Sequence, residues 1–125
     1  MNSFIKIIFI IILFAAVEEM TAQSALYFCK DTGAFGYTYS AASLEEAENM
    51  AYNNCKEFGG VNIKKIASTS KTGWGVIAVG TTESGSRALG VALGYGDMEE
   101  AKRVAKKYCE ESGGQEITYF DFWRD

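Results

Sequence analysis

Hydrophobic positions along this chain change their period in a fixed order, and the order is run through twice. Ala25-Leu26-Tyr27-Phe28-Cys29 is a short apolar run of strand type, and Lys30-Asp31-Thr32-Gly33 after it has turn chemistry. Ala34 to Tyr39 then alternates. Phe35, Tyr37 and Tyr39 share one face, while Ala34, Gly36 and Thr38 share the other. Large side chains fill space on their side, and small ones let another element approach the backbone on theirs. The period then lengthens: Leu44, Ala47, Ala51, Cys55 and Phe58 fall on one helical stripe. Ser43 with Glu46 three positions later makes a capping box at its start, and Gly59-Gly60 supplies a left-handed cap at its end. Another strand is expected over Val61 to Ala67, where Lys64-Lys65 interrupts the alternation.

The series returns at a constant offset of 54 residues, with no gap between Ala34 and Gly60. Trp74 to Val79 is the counterpart of the first strand, and Ala88 to Leu93 that of the second. Leu89, Val91 and Leu93 now form the large face, and Ala88, Gly90 and Ala92 the small one. Asp97 and Glu100 cap a helix whose stripe is Met98, Ala101, Ala105 and Cys109, widened by Val104 and Tyr108. Gly113-Gly114 ends it, and Ile117 to Trp123 is the last strand. Register held over this length indicates a duplicated supersecondary unit. The expected fold class is α+β: two β-β-α-β repeats, 24–67 and 74–123, related by a pseudo-twofold axis. Six mainly antiparallel strands would carry two packed helices. One sheet or a two-sheet sandwich both satisfy the pattern.

The amino terminus does not belong to this pattern. Lys6 precedes the apolar run Ile7 to Val17, and a small residue stands at Ala22. This arrangement reads as a secretory signal peptide over residues 1–22, leaving a single domain over 23–125; an uncleaved amino-terminal anchor is the alternative. The expected location is therefore secreted or periplasmic, with no stable membrane insertion once the leader is removed. The chain has 125 residues, 48% of them hydrophobic, and a net charge of −4 at pH 7. A mildly acidic protein has no general attraction for nucleic acid.

Histidine is absent from the sequence. The commonest general base and the commonest imidazole metal ligand are thus both missing, and nothing in the sequence calls for a cofactor or a metal. Glu45-Glu46 and Glu99-Glu100 sit where acids favour the helix dipole. Gly94-Tyr95-Gly96-Asp97 lies between strand and helix but lacks the lysine of a phosphate loop, so its glycines read as turn residues. Export permits disulfides among Cys29, Cys55 and Cys109. Cys29, at the end of strand one, and Cys55, late in the helix, would lie at the same end of the unit, which suggests a bridge. Three buried thiols, or a Cys55–Cys109 bond across the axis, are the other readings. Lys102, Arg103, Lys106 and Lys107 make one helix face basic, either as a solvated face or as a dock for an acidic protein or a phosphorylated glycan. Among the aromatics, Tyr95 and Trp123 are further candidates for a partner surface.

Thr32-Gly33-Ala34-Phe35-Gly36-Tyr37-Thr38-Tyr39, with Glu46-Ala47 through Ala51 to Cys55, resembles a small secreted bacterial domain of unknown function. That domain occurs in exported proteins of mycobacteria and many Gram-negative bacteria. Its aromatic-Gly-x-Ile-Ala strand looks like Trp74-Gly75-Val76-Ile77-Ala78. Its members often have another cysteine soon after the helix, where this chain has Gly59-Gly60 and Gly113-Gly114. The resemblance implies export and, for some members, a suspected role toward a host or competitor, with no established activity. The expectation is a non-catalytic module that binds another protein of the envelope or exterior, of inhibitor or immunity type. The alternatives are an envelope enzyme using carboxylates or a thiol, and a structural protein that binds a small ligand.

Overall fold

The structure is a computed structural model and describes residues 22–125. The leader expected over 1–22 thus lies outside the described residues, save for Ala22. In chain order the elements are β1 (Gln23–Phe28), β2 (Phe35–Ala41), α1 (Leu44–Glu57), β3 (Lys64–Thr69), β4 (Trp74–Thr81), β5 (Arg87–Tyr95), α2 (Met98–Glu111) and β6 (Gln115–Arg124). The strands form two antiparallel three-stranded sheets, ordered β2-β1-β3 and β5-β4-β6. Each repeat therefore builds one sheet around its own first strand, and the two sheets have the same order under the 54-residue offset.

The sheets stack, and the two faces read from the alternation do different work. The large faces meet between the sheets, where Leu26, Phe35, Ile77, Leu89, Val91 and Trp123 form one buried cluster. On the outer side of each sheet lies its own helix. Ala25, Ala41, Ala47 and Ala51 pack together in the first repeat, and Val76, Ala78, Ala88, Ala92, Ala101, Ala105 and Cys109 in the second. The order of layers is helix, sheet, sheet, helix. Small side chains are required at the helix contact. A Cβ placed on Gly36 would lie inside contact distance of the Ala51 carbonyl oxygen and the Cys55 nitrogen. On Gly90 it would meet the Ala105 carbonyl oxygen and the Cys109 nitrogen in the same way.

Both helices begin and end as their sequences dictate. The Glu46 N–H donates to Ser43 Oγ at 3.1 Å, and the Glu100 N–H to Asp97 Oδ2 at 3.0 Å. At the other end Gly59 and Gly113 have φ of 101° and 89°. Their N–H groups donate to Lys56 and Glu110, and those of Gly60 and Gly114 to Cys55 and Cys109. This pair of bonds is the Schellman arrangement, which satisfies carbonyls that a helix end leaves over.

The third strand starts later than its apolar pattern suggests, at Lys64 rather than Val61. Residues 61–63 are still turning out of the cap, and Asn62 Nδ2 donates to Asp31 Oδ2 at 3.0 Å, tying that turn to the β1–β2 loop. Phe58, assigned to the buried stripe of α1, is 74% exposed, because it is the capping residue where the chain leaves the helix. Leu44 and Tyr108 are also exposed at the margins of their stripes.

Candidate functional site

The third strand of each repeat carries a bulge at the same place. In the first sheet Leu26 pairs with Ala67 and Tyr27 with Lys65, so Ile66 is passed over. In the second, Ile77 pairs with Asp121 and Ala78 with Tyr119, so Phe120 is passed over. Ile66 and Phe120 are one offset apart. A bulge leaves one residue out of the ladder and re-aims its side chain. Here it leaves two apolar side chains in water, 48% and 54% exposed.

Each bulged residue overhangs a groove on the side of the sandwich, and the two grooves are built from equivalent positions. One, of about 450 Å³, has Ala34 and the edge strand β2 as a wall through Phe35, Gly36 and Tyr37, with Asn54 and Phe58 from the end of α1 and Phe120 opposite. The other, of about 1000 Å³, has β5 as a wall through Ala88, Leu89, Gly90 and Val91, with Tyr108 and Ser112 from the end of α2 and Ile66 opposite. Arg87 lines both. It takes the position of Gly33, and a Cβ on Gly33 would lie 3.4 Å from Arg87 Cβ, so the equivalent residues meet where the repeats adjoin.

The grooves differ in what fills them. In the smaller, the Phe120 ring sits edge-on to Phe35, with centroids 5.0 Å apart, and to Tyr37 at 6.2 Å. Tyr37 stacks on Trp123, which stacks on Tyr39. The Tyr37 hydroxyl donates to Asp121 Oδ2 at 2.6 Å, and desolvation together with this carboxylate raises its pKa above the ordinary tyrosine value. In the larger groove the equivalent residues are Leu89, Val91, Ser112 and Ile66, all smaller, and the space stays open. Its rim carries Lys30, Lys64 and Arg87 against Asp31 and Glu111. The ion pairs among the described residues are Lys65–Glu48 at 2.8 Å and Lys102–Glu99 at 3.9 Å, so none of these three cations is in an ion pair. The Arg87 guanidinium lies 5.1 Å from the centre of the Phe35 ring, a cation–π contact that holds it at the junction.

Several candidate residues lie elsewhere. Trp123 is buried, 8% exposed, because the facing sheet covers it, and it offers no partner surface. Tyr95 is half-buried against the α2 cluster. Lys102 is held over the rings of Tyr119 and Phe122 at 5.6 and 5.3 Å, beside Glu99. Arg103, Lys106 and Lys107 are exposed. Arg103 and Lys106 border a shallow depression with Asp97, Glu99 and Glu100, so that face is mixed in sign. Asp97 lends its carboxylate to the first turn of α2, the place an anion would take.

All three cysteines are free thiols, and the bridge expected between Cys29 and Cys55 is not present. The two share a buried cluster with Ala34, but their sulfurs have different partners. Cys55 Sγ donates to the Ala34 carbonyl at 3.5 Å. The Cys29 thiol is pushed down to about 6, first by the Thr32 hydroxyl and then by backbone N–H groups at Val61, Thr32 and Asn62. Cys109 is buried in the other repeat, and desolvation raises its pKa. Among the described residues no cluster of His, Cys, Asp or Glu is suited to hold a metal ion, and no helix is long and apolar enough to cross a membrane.

The grooves had partial signals in the sequence. Alternation breaks at Lys64-Lys65, and Thr118-Tyr119 stands at the corresponding point of the last strand, just before Phe120. Arg87 replaces a glycine and Phe58 a serine between copies. Searches of family models, curated proteins and solved structures find no match to this chain.

Proposed function

We propose that this chain is an exported, non-catalytic binding module that engages a partner protein through its lateral grooves, in the manner of an inhibitor or immunity protein. The observation that carries the reading is the bulge built twice, which leaves Ile66 and Phe120 in water beside a groove. An apolar side chain held out by an irregularity that both repeats share costs solvation in the free protein and gains when a partner covers it. Phe58, also at the groove edge, adds to the same surface. Export rests on Lys6 and the apolar run that follows it, and the small exported bacterial domains that the chain resembles support the same assignment. An enzymatic role has less to draw on. Asp31 and Glu111 both line the larger groove, but both stand exposed, outside the low-dielectric surroundings in which paired carboxylates divide acid and base roles.

The test is capture from an extract of the cell envelope and exterior by the immobilised chain, compared with Ile66→Ser and with the double variant Phe58→Ser, Phe120→Ser. All three positions are exposed, so the fold should survive. A protein retained by the wild type and lost by one of the variants is the expected result. Retention indifferent to both variants, or no retention at all, refutes the assignment.

A further inference from the structure

The two grooves are the same architecture with different linings, and the one narrowed by aromatic rings indicates what the wider one accepts. In the smaller groove the chain's own rings narrow the site: Phe120 rests on Phe35 and Tyr37. In the larger, Leu89, Val91, Ser112 and Ile66 replace Phe35, Tyr37, Phe58 and Phe120, while Tyr108 replaces Asn54. Its wall is a run of edge backbone, Arg87 to Val91, because among the described residues β5 pairs with β4 alone. An edge strand presents unpaired N–H and C=O groups along its outer side. At these edges the helix ends supply side-chain donors instead of a strand: Ser112 Oγ to the Leu89 carbonyl at 3.4 Å, and Asn54 Nδ2 to the Tyr37 carbonyl at 3.3 Å. The rim sets Lys30, Lys64 and Arg87 against Asp31 and Glu111, a net of +1 on a chain of net charge −4.

From these observations, and resting on the binding reading above, we propose that the larger groove takes an extended segment of a partner protein as an added strand on β5. The segment puts an aromatic or large aliphatic side chain where the other groove holds its own ring, and an acidic side chain against Lys30, Lys64 and Arg87. Backbone hydrogen bonds along β5 supply affinity, and the pocket beneath Ile66 with the cationic rim supplies selectivity, the usual division in strand addition. A small anionic amphiphile would also meet cations and an apolar floor, but it makes no use of the free strand edge.

The experiment is selection of random displayed peptides on the full chain, followed by measurement of binding and of backbone amide exchange. Selected peptides should combine an acidic residue with an aromatic or large aliphatic one in an extended pattern, and should slow exchange along Arg87–Val91. Exchanging Ile66→Phe and Ser112→Phe copies two rings of the smaller groove into the larger one. Both positions are exposed, so folding is preserved, and peptide binding should fall by at least about tenfold. Arg87→Glu should weaken acidic peptides by a similar factor. Peptides that bind the ring-filled variant as well as the wild type, protection elsewhere than β5, basic selected sequences, or no selected peptide would each overturn strand addition. If Ile66→Ser still abolishes capture of an exterior protein when no peptide is selected, strand addition falls while the binding role stands. Capture indifferent to every groove variant removes the binding role itself.

Discussion

Adding a single methyl group at Gly36 or Gly90 tests the packing of helix on sheet directly. At Gly36 the new carbon would stand 2.8 Å from the Asn54 carbonyl carbon and closer still to Ala51 and Cys55 backbone atoms. At Gly90 it would stand 3.0 Å from the Ala105 carbonyl carbon, again with nearer backbone neighbours. Carbon atoms prefer about 3.5–4.0 Å, so each helix must retreat by roughly 1 Å, and a gap of that size forfeits up to about half of the dispersion attraction across it. The obstructing atoms belong to helix backbone and cannot swing aside as a side-chain end would. Overpacking typically costs about 1–3 kcal/mol, and these sites belong at the upper end, near 3 kcal/mol each. For a domain of this size that lowers Tm by roughly 10–20 °C. Urea unfolding followed by tryptophan fluorescence, with a thermal melt by circular dichroism, measures it. Gly96→Ala is the control: its Cβ would meet nothing within 4 Å, and stability should hold within about 0.5 kcal/mol. A loss below about 1 kcal/mol at both Gly36 and Gly90 would refute the close approach. A loss at one alone would refute the equivalence of the two repeats.

Two titrations carry further predictions. Tyr37 keeps its proton in the fold to higher pH than a free tyrosine, through burial and its bond to Asp121. Above about pH 10 the unfolded chain releases that proton and the folded one does not, so this contribution is complete below pH 10 and declines as pH rises further. Tyr37→Phe should lose about 1–2 kcal/mol at neutral pH and show a shallower alkaline decline than the wild type in urea titrations; an unchanged slope contradicts the assignment. Cys29 behaves oppositely. Its thiol titrates at about 6 in the fold, so its contribution is present above the unfolded cysteine value of about 8.5 and is lost as pH falls through 6. Thr32→Val should move the thiolate absorbance of Cys29 to higher pH, and a wild type with no thiolate at neutral pH would sink this account.

Much of the site was legible locally, and its decisive parts were not. The division of Phe35, Tyr37 and Tyr39 from Ala34, Gly36 and Thr38 follows from the two-residue period of a strand, and the structure uses both faces as that period implies. The caps at Ser43 and Asp97 and the glycine stops at Gly59 and Gly113 follow from the few backbone groups a helix end leaves unpaired. Spacing puts Phe58 on the buried stripe, yet a period says nothing about where the chain turns away from its helix. Trp123 was a candidate for the surface because nothing local shows that a second sheet lies across it. The bulges at Ile66 and Phe120 left only a broken alternation, which insertion into a loop would also produce.

By itself the sequence determined the doubled unit, its strands and helices, the ends of those helices and which face of each strand must stay small. These depend on near neighbours: backbone sterics, periodicity and the partners of terminal peptide groups. The tertiary structure decided that the repeats make two stacked sheets, that β2 and β5 are edges among the described residues, and that one lateral groove is narrowed by the chain's own rings while its twin is wider. Those features depend on side chains far apart in sequence meeting across the interface between repeats, and a repeated pattern leaves their relative placement undetermined because both halves carry the same local instructions.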